Sequence, residues 1–269
     1  MSTNPRPTKQ QRRDAARQQR LEAERAQAAA TQRRKRLRTV LAVLGAAAVV
    51  VVIAIVVSSS GGGSAKNRPA AAQKSNGPIP GQKESAAMLD GIPQSGIYLG
   101  KPTAPVRLVE FADLQCPFCR EYSLQVLPQL VQDYVRNGKV RMEFRNLSFI
   151  GDDSVTAGRA ASAAGQQNRL WNFIDVFYYN QGEENSGYVT DSFLTSIAQG
   201  AGVKDLDKWN SDRSDNSKWD PLLQGNDSDA KSLGFSGTPS ILVEGPGGKK
   251  PFTTIPTVSQ IAAAVKSVS

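Results

Sequence analysis

Cys116 and Cys119 are the only two cysteines in 269 residues, separated by Pro117 and Phe118. A Cys-x-x-Cys pair can cycle between dithiol and disulfide, with a thiolate as the attacking group. The chain has no histidine, which excludes a histidine base, a histidine-based triad and the usual four-ligand Cys/His zinc site. What remains is sulfur chemistry: disulfide exchange if a thiolate is stabilised, an inert bridge or thiol pair if not. A bridge closing so short a loop constrains little chain entropy, which argues against a purely structural role.

The elements on either side decide which sulfur is activated. Val106 to Ala112 alternates as a strand, with Val106, Leu108, Glu110 and Ala112 on one face and Arg107, Val109 and Phe111 on the other. Phe118 to Val135 is predicted as one helix, carrying Tyr122, Val126, Leu127, Leu130, Val131 and Tyr134 at spacings of three and four. Cys116 then falls at a strand-to-helix junction, beside unpaired N–H groups and the positive end of the helix dipole, where a thiolate is favoured. Pro117 fits the first helical turn, because the N–H it lacks would have no intrahelical acceptor there. Phe118 offers neither charge nor hydrogen bond, so the thiolate must rely on backbone groups. The expectation is a Cys116 pKa below the free value of about 8.5, yet less depressed than a neighbouring histidine would make it.

Downstream, Asn137-Gly138 ends the helix and Lys139 to Asn146 alternates as a second strand, so strand, helix and strand form a crossover unit with parallel pairing. Gly96 to Leu99 reads as a short edge strand. A helical stretch follows: Ser154 to Gln167, Leu170 to Tyr179, Ser192 to Gln199 and the region around Trp209 and Trp219. Trp171, Trp209 and Trp219 could line a groove or fill a core; in such segments core is the commoner fate. Ser240 to Val243 is an apolar strand, Lys250 to Thr253 its partner after the turn Gly245 to Gly248, and Thr257 to Val268 a closing helix with Val258, Ile261, Ala262 and Val265 inward.

The formal charge of +9 suggests a nucleic-acid binder until it is located. Residues 1–39 hold 12 Lys+Arg against 3 Asp+Glu, and the remainder carries 21 of each sign, so the globular part has no basic footprint. Residues 40–57 are 18 apolar residues without charge or proline, reaching roughly 27 Å as a helix, close to bilayer thickness. Arg33, Arg34, Lys35, Arg36 and Arg38 abut the N-terminal end, which places 1–39 in the cytoplasm and everything after Val57 outside. A cleaved signal peptide is the other reading, with a shorter apolar core of about 7–15 residues. Residues 58–88 read as a flexible linker with a reach of roughly 30 Å, and 89–269 as one globular domain.

Glu110-Phe-Ala-Asp-Leu-Gln-Cys-Pro-Phe-Cys119, the helical insertion after Arg145, Leu170-Trp-Asn-Phe and Gly237-Thr-Pro-Ser-Ile-Leu-Val together resemble the thioredoxin superfamily, specifically DsbA-like thiol–disulfide oxidoreductases of the membrane-anchored bacterial type. The resemblance implies an α/β fold: a thioredoxin-like mixed sheet with an inserted helical domain, about 151–236, preceded by a single transmembrane helix. It makes Cys116 the attacking, partly exposed cysteine and Cys119 its buried partner. Pro239 resembles the family's cis-proline beside the disulfide, with Thr238 touching the sulfurs, and Glu110 falls where these folds keep a buried acidic residue. Phe118 departs from the histidine of many strongly oxidising members, and a threonine at position 238 occurs in oxidases, reductases and isomerases alike.

These residues imply a membrane-anchored extracytoplasmic oxidoreductase that introduces disulfides into exported proteins, with no cofactor beyond the Cys116–Cys119 disulfide and no metal. Glu110 would move the Cys119 proton, unless it is instead a partly exposed carboxylate paired with a nearby Lys or Arg. The family implies a quinone-linked membrane partner of the DsbB or vitamin K epoxide reductase-like type. Two alternatives stay open: a reductase or isomerase using the same centre, and a non-enzymatic membrane-tethered adapter. No nucleic acid is expected as partner, the basic tail being a topology signal and lipid contact.

Overall fold

A computed structural model describes residues 79–269. The expected basic tail 1–39, the apolar span 40–57 and most of the expected linker lie outside the described residues, among which no helix is long and apolar enough to cross a membrane.

A six-stranded mixed sheet orders its strands β1 (Gln94–Ser95), β2 (Tyr98–Leu99), β4 (Val140–Asn146), β3 (Val106–Ala112), β5 (Ser240–Gly245) and β6 (Gly248–Phe252). At its centre β3 (Val106–Ala112) runs parallel to β4 (Val140–Asn146), from Val106 opposite Val140 to Ala112 opposite Asn146. The crossover unit expected from the sequence is therefore present. On the other side β5 (Ser240–Gly245) pairs antiparallel with β3 and then with β6 (Gly248–Phe252). Pro251, which cannot donate to a ladder, lies in this edge strand. The opposite edge is a minimal hairpin, β1 (Gln94–Ser95) and β2 (Tyr98–Leu99), turning at Gly96 with φ +58° where the sequence suggested one short strand.

The alternation of β3 sorts the core. Val106, Leu108 and Ala112 join the main cluster, while Val109 and Phe111 pack on the far face with Leu242, Ala230 and Phe235. Each large apolar side chain so removed from water contributes roughly 1.5–3 kcal/mol before conformational entropy is subtracted.

Two element boundaries differ from the expectation. The helix after Cys116 does not run unbroken to Val135: α2 (Pro117–Gln125) ends at Val126, followed by the single turn α3 (Leu127–Leu130) and a π-helical turn, Val131–Val135. Pro128 lacks the N–H that would bond back to the Leu124 carbonyl, so the ladder breaks there. The last residues of the expected linker are helical instead. Gln82–Leu89 is a helix, α1, which buries Ser85 and Leu89, and Arg136 donates to the Met88 and Asp90 carbonyls at its end.

Between β4 and β5 the chain forms five helices: α4 (Asp152–Gly165), α5 (Leu170–Tyr179), α6 (Asp191–Gly200), α7 (Leu206–Arg213) and α8 (Asn216–Ser232). Every residue of α5 from Leu170 to Tyr178 is buried, as befits a helix enclosed on all sides. The three tryptophans are core residues, each satisfying its indole N–H on a backbone carbonyl: Trp171 on Ile97, Trp209 on Ala160 and Trp219 on Asp212. They line no groove. The closing helix α9 (Val258–Val268) begins with a capping box between Thr257 and Gln260. It buries Ile261, Ala264, Val265 and Val268, whereas Val258 and Ala262, expected inward, are half-buried.

Candidate active site

Cys116 is the N-cap of α2, in extended conformation (φ −71°, ψ 120°), and Pro117 takes the first helical position. The chain turns out of β3 through a short loop, Asp113 to Gln115, whose first carbonyl accepts the Cys116 N–H at 3.0 Å. Pro117 and Phe118 project outward, with Phe118 59% exposed, so an aromatic ring stands in solvent beside the sulfur. Both cysteines are present as thiols. Cys116 is more enclosed than the expected partly exposed cysteine, at 5% against 0% for Cys119, because the loop carrying Thr238 closes over it.

The two sulfurs have opposite electrostatics. Cys116 is lowered to about 6, chiefly by the hydrogen bond from the Cys119 thiol, which outweighs its own burial; Thr238 and the backbone N–H groups of Cys119 and Phe118 add to it. Cys119 is pushed well above its ordinary value by burial first, then by its bond and charge interaction with Cys116. At neutral pH the pair therefore holds one thiolate and one thiol, the thiolate at the helix end.

The Thr238–Pro239 peptide bond is cis, and Cys116 Sγ lies 3.4 Å from the Thr238 carbonyl oxygen, to which it donates only while protonated. Pro239 is buried and Thr238 half-buried, so these distant residues and the Cys pair form one site.

Glu110 lies on β3, 1% exposed, and burial alone raises its carboxyl to about 8. None of the ion pairs among the described residues involves it. The exposed, paired carboxylate is thereby ruled out, whatever chemistry Glu110 performs.

Sequence reasoning missed the clamp around the active-site loop. Gln181 donates to the Leu114 and Cys116 carbonyls at 2.7 and 3.1 Å, and the Tyr178 hydroxyl to the Asp113 carbonyl at 3.3 Å. Arg120 of α2 donates in return to the Tyr178 carbonyl at 2.8 Å. Gln115 reaches Ser154 of α4 and accepts the Asn185 N–H. The helical insertion therefore fixes the Cys116 backbone through Gln181, 65 positions away. Tyr178 was legible only as a core aromatic of α5, and nothing local marks Gln181 or Arg120.

A family model described as Thioredoxin matches residues 93–264, from the edge hairpin into α9. A Bacillus cereus protein named "Probable disulfide bond formation protein D" is 35% identical over 150 residues, 55% of this chain and 69% of that protein. This chain is a DsbA-like thiol–disulfide oxidoreductase of the thioredoxin family. Solved structures share the fold of this oxidoreductase. BdbD from Bacillus subtilis, in its oxidised form, superposes with a TM-score of 0.57 at 22% identity, covering 65% of this chain and 95% of that one. A thioredoxin-like oxidoreductase from Silicibacter pomeroyi gives 0.52 at 27% identity, covering 68% and 95%.

Proposed function

We propose that this oxidoreductase works as an oxidase outside the cytoplasmic membrane, held there by the apolar span 40–57, and donates the Cys116–Cys119 disulfide to exported proteins bearing thiols. The observation that carries the reading is the asymmetry of the two sulfurs: Cys116 at about 6 and Cys119 far above its ordinary value. A stabilised Cys116 thiolate favours the reduced enzyme, so the oxidised enzyme is an effective disulfide donor. The names of the Bacillus relatives, disulfide bond formation proteins, support the same direction.

The cycle starts from the Cys116–Cys119 disulfide. A substrate thiolate attacks the Cys116 sulfur, forming the mixed disulfide and releasing Cys119, whose buried sulfur must gain a proton. Glu110 supplies it from its protonated carboxyl. The second substrate thiolate attacks the substrate sulfur of the mixed disulfide, closing the substrate disulfide and releasing Cys116 as a stable thiolate. Two electrons have passed to the enzyme, and a quinone-linked membrane protein is the class of acceptor that would remove them. The exposed Phe118 and the Thr238–Pro239 loop flank the sulfur that substrates must reach.

The deciding measurement is the equilibrium potential of the full chain in detergent against glutathione. A value near about −120 mV supports the oxidase, and one near about −270 mV would make it a reductase. Fractionation and protease protection of intact cells test the topology: an accessible tail and a shielded catalytic domain would reverse it.

A further inference from the structure

Among the buried polar atoms without a hydrogen-bond partner are Oε1 of Glu110 and the hydroxyl of Tyr122. They come from different elements, β3 and the first turns of α2, and their residues are 1% and 0% exposed. Buried polar atoms without partners are costly to a fold, which keeps them for a reason or joins them through water. They are neighbours electrostatically, since the charge of Glu110 reaches the Tyr122 phenol.

We infer that Tyr122 is a positioning residue for Glu110, its hydroxyl donating to the Glu110 carboxylate, directly or through one buried water, each time the carboxyl gives up its proton. This inference rests on the reading of Glu110 as the group that exchanges a proton with Cys119.

The surroundings leave the task to a neutral donor. From α5, the Tyr178 hydroxyl already donates to the Asp113 carbonyl. The flanking strands set Phe144 and Ile241 in register with Glu110, and α9 turns apolar residues inward. No Lys or Arg among the described residues forms an ion pair with Glu110. Tyr122 is fully buried and its phenol is pushed well above its ordinary value, so it remains a donor at every working pH. It cannot compete for the proton; it can only steady the carboxylate. When a substrate thiolate breaks the Cys116–Cys119 bond, the Cys119 sulfur leaves with the electron pair and takes the Glu110 proton. The resulting carboxylate then has one hydrogen bond in place of none. That bond brings Glu110 down from the position set by burial alone toward neutral pH, where a general acid–base works in both directions.

The test uses the full chain in detergent, oxidised so that neither cysteine titrates, with the Glu110 carboxyl followed by NMR of the isotope-labelled side chain. The expected midpoint lies below about 8 in the natural protein and rises by about one pH unit in Tyr122→Phe, the size of one charge-assisted bond. Exchange with a reduced dithiol peptide at neutral pH should slow severalfold in Tyr122→Phe, and this loss should vanish in the Glu110→Gln background. An unchanged midpoint in Tyr122→Phe, or a loss that persists in Glu110→Gln, overturns the inference while the oxidoreductase reading stands. If instead exchange is indifferent to Glu110→Gln while the midpoint still moves, Tyr122 holds a carboxyl that carries no proton, and the inference falls with the reading of Glu110. Tyr122→Phe removes only an unpaired hydroxyl, and its melting temperature should match or exceed that of the natural protein.

Discussion

Glu110 and Glu143 lie on adjacent parallel strands, and both are shut away from water, at 1% and 0% exposed. Their registers differ by one: Glu110 is opposite Phe144, and Val109 is opposite Glu143, so the two carboxyls occupy opposite faces of the sheet. Glu143 sits between Arg107 and Arg145, and Arg107 bridges on to Glu244 of β5. Glu110 has no such company. One face holds a glutamate as a paired charge whose cations reach solvent; the other holds a glutamate as a carboxyl that burial keeps protonated up to about pH 8. A paired buried acid ties strands together, whereas an unpaired one costs stability and survives where its proton is used.

The comparison assigns all sulfur chemistry to the Glu110 face, and the largest effects should respect that border. Cys116→Ser should reduce disulfide exchange to background and form no mixed disulfides. Cys119→Ser should accumulate them, visible as adducts on non-reducing gels. Glu143→Gln should leave the exchange rate per folded molecule unchanged. Equal trapping by both cysteine variants would undo the assignment of attacking and resolving sulfurs. A collapse of exchange in folded Glu143→Gln would erase the border between the faces.

In stability the order reverses. Glu143→Gln leaves two guanidinium groups without their shared carboxylate. It should lower unfolding free energy by about 2–3 kcal/mol, less than for a wholly enclosed pair because both arginines reach solvent. Denaturant titration would measure it. Glu110→Gln should do the opposite, in a pH-dependent way. The folded-state carboxyl is raised from 4.5 to about 8, so stability is full below about 4.5 and is lost as pH rises through about 8. In the oxidised protein this should amount to on the order of 5 kcal/mol across that window, and the Glu110→Gln variant should lack it. Parallel pH profiles for natural protein and variant would mean that Glu110 is ionised throughout.

The contrast between the faces was half legible in the sequence. Strict alternation from Val106 to Ala112 put Glu110 with the apolar face, and the Cys pair after it marked the site. The company of each carboxyl was not legible. Arg107 meets Glu244 across 137 positions, and Tyr178 meets Asp113 across 65, pairings that only the folded topology creates. Local misreadings have local causes. Pro128 was overridden by an apolar period that continues through it, and Gln82–Leu89 has too few large apolar residues to stand out from a linker. Its anchor is the small buried face of Ser85 and Leu89, which periodicity does not register. The cis bond at Pro239 entered through family resemblance, since no residue pattern near it demands one.

The smallest predicted effect concerns Phe118, the exposed ring whose chemistry is absent from either face. Cys116 already reaches about 6 through the Cys119 thiol, Thr238 and two backbone N–H groups, without any charge from its neighbour. A lowered thiol gives the reduced fold extra stability that is present above the unfolded pKa of about 9 and is lost as pH falls through about 6. Phe118→His would add a cation beside that thiolate over the acidic half of the window. The thiolate midpoint, followed by its absorbance, should move down by about one unit, and the potential should rise by about 30 mV, the two being the same free energy read twice. The shift cannot be large, because the ring at 118 is 59% exposed and water screens whatever charge it carries. A midpoint that stays at about 6 would mean that the sulfur is shielded from position 118 altogether. Its acidity would then belong wholly to the helix end, Thr238 and the buried Cys119 behind it, and the exposed ring would serve only the approach of the substrate.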